Sequence, residues 1–129
     1  MTRGRFLVVD DEEDMRGMLC FHFAGEGFAV DAVEDGVSGL AALAAAPYDV
    51  VLLDVHLPRM SGPVVLQEIR RRWPTQLVVM LSSGIEEDGD MPWWTALADG
   101  CLDKPFPIGE LERLLEALLH RKAQGATTP

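Results

Sequence analysis

Apolar and polar positions follow two alternating patterns along this chain. Short apolar runs stand at Phe6–Val9, Ala29–Val33, Val50–Leu53, Leu77–Leu81 and Cys101–Leu102. The first, third and fourth are unbroken and rich in Val and Leu, as expected of strands covered on both faces of a parallel sheet. Between the runs, residues recur at helical spacing: Met15, Met18, Leu19 and His22, then Val37, Leu40, Ala41 and Ala44, then Val65, Leu66 and Ile69. Leu111, Leu114, Leu115 and Leu118 give the clearest stripe, with Glu110, Glu112, Arg113 and Glu116 on its wet side.

Helix punctuation agrees with this division. Gly25 and Gly27 suit the end of the first helix, and Ser61-Gly62-Pro63 offers an N-cap and an early proline for the third. Pro74 follows the third helix and Pro107 precedes the last. Repeated β-α alternation with short connections predicts an α/β fold, an open parallel sheet with helices on both faces. The fourth helical segment is the weakest. Gly84 to Asp90 is acidic and glycine-flanked and predicts a long loop, then a short helix from about Pro92 to Ala98. Arg70-Arg71-Arg72 reads as the solvated end of the third helix, and 122–129 as a flexible tail.

Composition narrows the function. At 129 residues, 48% hydrophobic and 25% charged, the chain has the make-up of one folded domain. No apolar run approaches the roughly 18–20 residues of a membrane span. The four apolar residues after Arg5 are too few for a signal peptide, so a cytoplasmic location is expected. The formal net charge of −10 argues against nucleic acid and suits a cation or a basic protein patch. Cys20 and Cys101 are far apart and form no CxxC, and both read as inert packing; His22 reads as half-buried packing on its helix, not a ligand. Lys104 is the single lysine in the body of the domain, the other being Lys122 near the C-terminus.

Ligands of an open parallel sheet sit at the carboxyl ends of its strands. The polar residues at those ends are Asp10, Asp11 and Glu12 after the first run, Asp54 after the third, Ser82 and Ser83 after the fourth, and Lys104 and Pro105 after the fifth. Clustered carboxylates recruit a cation, and an oxygen-only set suits Mg²⁺ or Mn²⁺ rather than Zn²⁺. A lysine and a serine beside them can hold phosphoryl oxygens. Asp54, ending a buried central strand, is the natural nucleophile.

Four segments carry a resemblance: Phe6-Leu7-Val8-Val9-Asp10-Asp11-Glu12, Val51 through Gly62, Met80-Leu81-Ser82 and Lys104-Pro105-Phe106. In this order, each at a strand end, they resemble the receiver domain of two-component response regulators, over residues 5–121. The resemblance implies a flavodoxin-like (βα)5 fold with strand order 2-1-3-4-5. It implies that Asp54 accepts a phosphoryl group from a sensor histidine kinase or phosphotransfer protein. Asp10, Asp11, Asp54 and the backbone carbonyl of His56 would hold Mg²⁺. Ser82, preferred over Ser83 by register, and Lys104 would bind the phosphoryl group, and the Lys104–Pro105 bond would be cis. The implied output is a downstream protein, or a second copy of the chain, at the face made by the fourth helix, fifth strand and fifth helix. The domain would then catalyse only its own phosphorylation and dephosphorylation.

The chain departs from that pattern at three places. Cys101 stands where the family usually has Tyr or Phe, three residues before the lysine. His56, two residues past Asp54, can face the attacking water and tune the life of an acyl phosphate. Trp93-Trp94 sits on the partner face, with one ring expected in the core and the other exposed. Two other readings stay open: an interaction module working without phosphorylation, and an aspartate-nucleophile phosphatase. His56 stands where phosphatases resembling the haloacid dehalogenase group carry a second Asp, which counts against the phosphatase. The context is open too, as a stand-alone regulator or the receiver part of a larger one with an output domain.

Overall fold

The computed structural model describes residues 2–83 and 92–127. Five strands, β1 (Arg5–Val9), β2 (Ala29–Val33), β3 (Val50–Asp54), β4 (Leu77–Ser82) and β5 (Gly100–Asp103), form one parallel sheet in the order β2-β1-β3-β4-β5. Each apolar run of the sequence became a strand. The unbroken runs occupy the centre, where β3 and β4 are buried throughout, while β2 at one edge is only half-buried. Among the described residues four α-helices accompany them: α1 (Glu13–Gly25), α2 (Gly36–Ala45), α3 (Gly62–Arg72) and α4 (Ile108–Thr127).

Strand alternation divides the core into two layers. Leu7, Val9, Val51, Leu53, Val78 and Met80 point to the face covered by α2 and α3, where Leu40, Leu43, Val65, Leu66 and Ile69 meet them. Phe6, Val8, Val50, Leu52, Val79 and Leu81 point the other way, against Leu19 and Phe23 of α1 and Leu111, Leu115 and Leu118 of α4. Phe6 and Phe23 meet edge-to-face at 5.1 Å, so α1 is seated on the sheet by an aromatic contact. The order 2-1-3-4-5 places the β1–β3 boundary, where the connections diverge, at the centre of the carboxyl rim.

Local details refine the sequence reading. α1 ends at a Glu26 cap followed by Gly27 at φ +96°, the left-handed residue that lets the Phe28 N–H return to the Phe23 carbonyl at 3.0 Å. Asp35 caps α2 by accepting from the Ser38 N–H at 2.8 Å. Ser61 precedes α3 but makes no side-chain capping bond, and Pro63 supplies the preset φ instead.

Three expectations are corrected. The short fourth helix is a single 3-10 turn, Trp93–Ala96, because Pro92 starts it and no apolar stripe extends it; the loop expected from Gly84 to Asp90 lies outside the described residues. The backbone assigned to a tail continues α4 to Thr127, since Ala123, Gln124 and Ala126 are good or neutral helix formers following an amphipathic stripe. Arg70 is not a solvated helix end. Its guanidinium donates to the Leu97 carbonyl at 2.8 Å, the Gln76 carbonyl at 2.6 Å and the Asp99 carboxylate at 2.7 Å, clasping α3 to the approach to β5.

Candidate functional site

The carboxyl ends of β1, β3 and β5 bring three groups together. Asp10, one residue past β1, is fully buried, with its N–H on the Val33 carbonyl at 3.1 Å. Its Oδ1 accepts the Glu12 N–H at 2.9 Å, and its Oδ2 accepts from Lys104 Nζ at 2.8 Å. Arg16 also donates to the Asp10 carbonyl at 2.8 Å, so this loop is held from α1 as well. Asp54, the last residue of β3, is 4% exposed. Its Oδ1 takes the His56 N–H at 3.3 Å and lies 3.6 Å from Lys104 Nζ.

Lys104 follows β5, and its N–H donates to the Ser82 carbonyl at 2.7 Å, joining the ends of β4 and β5. The Lys104–Pro105 bond is cis. The ammonium bridges Asp10 and Glu12, the latter at 2.9 Å. Ser82 ends β4 and is buried, whereas Ser83 is exposed.

The loop after Asp54 is folded tightly over the strand end. The Gly62 N–H donates to the Val55 carbonyl at 2.9 Å, and a Cβ on Gly62 would stand 2.2 Å from the Asp54 carbonyl oxygen. Only glycine permits that approach. Arg59 in the same loop adopts φ 69° and pairs with the buried Asp35 at 3.2 Å, fixing the loop to the start of α2.

Carboxylate oxygens of Asp10, Glu12 and Asp54 all lie within 4.8 Å of one another. Asp11, which the sequence pairs with Asp10, is exposed and outside that group, although its charge reaches Asp54. Glu12 was visible as a third acid at this strand end but carried no distinguishing signal. Arg16 and Gly62 were missed as site residues, and the Arg59–Asp35 tie needed the fold.

Electrostatics follow from the crowding. Burial pushes the Asp54 carboxyl up and the Asp10 charge adds to it; Lys104 and the His56 N–H oppose them, leaving it at about 6. Burial works against the charge on Lys104, but hydrogen bonds to Asp10 and Glu12 outweigh it and hold the ammonium above its ordinary range. A carboxylate that resists ionisation, beside further acids and one cation, is poised to gain from a divalent ion.

The sequence model described as "Response regulator receiver domain" matches residues 6–116. The chain belongs to the response regulator receiver domain family. The receiver domain is 38% identical to the transcriptional activator protein PfeR of Pseudomonas aeruginosa, over 91% of this chain and 38% of that protein. It is 36% identical to the transcriptional regulatory protein QseB of Haemophilus influenzae, over 92% of this chain and 53% of QseB. The chain thus spans about half or less of these relatives' length. Among solved structures it is similar to response regulator TrrA from Thermotoga maritima in complex with Mg²⁺-BeF, with a TM-score of 0.80, 32% identity, and 92% of this chain and 99% of that one covered. TrrA was also solved in complex with histidine kinase ThkA, with the same TM-score and identity. Among the described residues no helix of the receiver domain is long and apolar enough to cross a membrane.

Proposed function

We propose that this receiver domain accepts a phosphoryl group on Asp54 from a histidine kinase phosphohistidine or a phosphotransfer protein in the cytoplasm. The observation that carries the reading is the placing of Lys104 Nζ 2.8 Å from Asp10 and 3.6 Å from Asp54 at one buried rim. An Asp54 carboxylate oxygen attacks phosphorus, the O–P bond forms, and the P–N bond to the donor imidazole breaks. The departing ring nitrogen takes a proton. Lys104 turns from Glu12 and Asp10 toward a phosphoryl oxygen, and the Ser82 hydroxyl donates to another.

The oxygen-only donors at the rim fit a hard cation. Asp10, Asp11, Asp54 and the His56 backbone carbonyl would hold Mg²⁺, or Mn²⁺ with the same chemistry, with Glu12 as a further acid. When bound, the ion supplies positive charge against the phosphoryl oxygens and the crowded carboxylates.

The signal leaves through a switch of unusual make-up. Cys101 packs half-buried on β5 beside the core that holds Trp94, Leu97 and Ala98. A thiol has no ring to swing between burial and solvent, so Ser82 and the Trp93–Ala96 turn carry the change. The 57% exposed Trp93 offers a contact for a downstream protein or a second copy of the chain. The likeness to NtrX from Brucella abortus, of whose chain this domain covers 29%, suits a reading of this domain as the input of a larger regulator.

Incubation with acetyl phosphate and Mg²⁺, followed by intact mass, tests the proposal. Wild type gains the mass of one phosphoryl group, and Asp54→Ala gains none. A folded wild-type protein that takes up no phosphoryl group overturns it in favour of an interaction module working without phosphorylation.

A further inference from the structure

On the face of the sheet covered by α1 and α4, a second cluster lies away from the rim. His22 is ten residues past Glu12, about 15 Å along the α1 axis. Its Nε2 is 3.5 Å from Oε1 of Glu26, one turn on, and 3.3 Å from Oε1 of Glu112 on α4. The three ligand atoms lie within 4.8 Å of one another. The imidazole is about a quarter exposed, yet Nε2 itself is sealed from solvent and hydrogen-bonds with neither carboxylate. A buried ring nitrogen left without a bond is costly unless something outside the protein satisfies it.

The spacing says what that is. Separations of 3.3 and 3.5 Å are long for hydrogen bonds to a ring N–H. They match the edge of a tetrahedron around an ion with bonds of ~2.0–2.1 Å, which is about 3.3–3.4 Å. One imidazole and two carboxylates form a ligand set for a borderline divalent metal, with the fourth position left to water. The two glutamates also line a cavity of about 50 Å³, together with Arg3, Phe6, Phe23 and Phe28.

We propose that His22, Glu26 and Glu112 form a Zn²⁺ site that staples the end of α1 to α4, chemically distinct from the hard-cation rim and independent of phosphorylation at Asp54. Ligation takes the Nε2 lone pair, so the imidazole binds neutral. The staple ties two helices that otherwise meet through Phe23, Leu115 and Leu118 on the sheet.

The test is a Zn²⁺ titration of the full chain with Mg²⁺ in excess, read by calorimetry and by the imidazole resonances of His22, His56 and His120. The expected result is one Zn²⁺ per chain, a shift of the His22 ring resonances alone, and a rise in Tm of roughly 5–10 °C at a hundredfold excess over Kd. Asp54→Asn retains the binding, while Glu112→Gln and His22→Gln each weaken it by roughly tenfold or more. Resonances of His22 that stay in place, undiminished binding in Glu112→Gln, or binding lost in Asp54→Asn overturns the site. The wild-type resonances decide the matter even where His22→Gln fails to fold.

Discussion

Lys104 Nζ sits 2.8 Å from Oδ2 of Asp10 and 3.6 Å from Oδ1 of Asp54, so one ammonium serves two buried carboxylates and leans toward the first. Asp10 is fully buried and the lysine side chain is 10% exposed, which keeps their attraction poorly screened. Replacing Lys104 by Met therefore leaves two acids in low dielectric without the ammonium that pairs with them. The expected loss of stability is about 3 kcal/mol at pH 7 without divalent metal, by urea unfolding. Saturating Mg²⁺ recovers part of it, because the rim regains positive charge. A Met variant as stable as wild type contradicts this account.

Asp54 gives the opposite sign. Its folded-state value of about 6 lies above the ordinary carboxylate range, chiefly through burial and the Asp10 charge. A group that holds its proton more tightly when folded favours the folded state at low pH. That contribution is lost as pH rises from about 4 through about 6. Asp54→Asn avoids the loss. Without metal it should be more stable than wild type at pH 7.5, by on the order of 2–3 kcal/mol, with the gap closing near pH 4. Mg²⁺ should stabilise wild type more than the Asn variant. Parallel Tm-versus-pH curves for the two proteins exclude the mechanism.

Gly62 tests the backbone around Asp54 rather than its charge. A Cβ there would sit 2.2 Å from the Asp54 carbonyl oxygen and 2.7 Å from Val55 Cα, and neither is the end of a flexible side chain. The loop has to move, and the Gly62 N–H bond to Val55 goes with it. Gly62→Ala should cost about 3 kcal/mol or more, and phosphoryl uptake should slow even where the protein stays folded. Gly17→Ala is the control: a Cβ at Gly17 meets nothing within 4 Å. Being inside α1, that change should leave stability equal or higher.

The legible parts of this molecule are those fixed by local periodicity. Val50 to Leu53 and Leu77 to Leu81 read as buried strands because both faces are covered, and the parallel order placed their carboxyl ends at one rim. Lys104 stands out in the sequence as one of only two lysines beside nine arginines, and the only one in the body of the domain. Other features depend on contacts between residues distant in sequence. Arg70 looked like one of three solvated cations until the fold brought the Leu97 carbonyl and Asp99 to it. Glu112 read as the wet side of its helix, and only the fold brings it to His22. Asp11 and Glu12 are adjacent acids, both exposed, and no sequence rule says which of them pairs with Lys104.

Trp93 and Trp94 separate packing from contact by one residue. Trp94 is 5% exposed and belongs to the core with Val78, Met80 and Ile69, while Trp93 is 57% exposed. Trp94→Ala should cost about 3–5 kcal/mol through lost burial and the cavity left behind. Trp93→Ala should change stability by no more than about 0.5 kcal/mol. Acrylamide should quench the fluorescence of Trp93 far more than that of Trp94, as read from the two single substitutions with Trp73 as common background. If Ser82 and the Trp93–Ala96 turn carry the response, adding beryllofluoride and Mg²⁺ should alter quenching in wild type and in Trp94→Phe. It should leave the signal unchanged in Trp93→Phe combined with Asp54→Asn. A response that persists in that double variant places the change elsewhere than at Asp54.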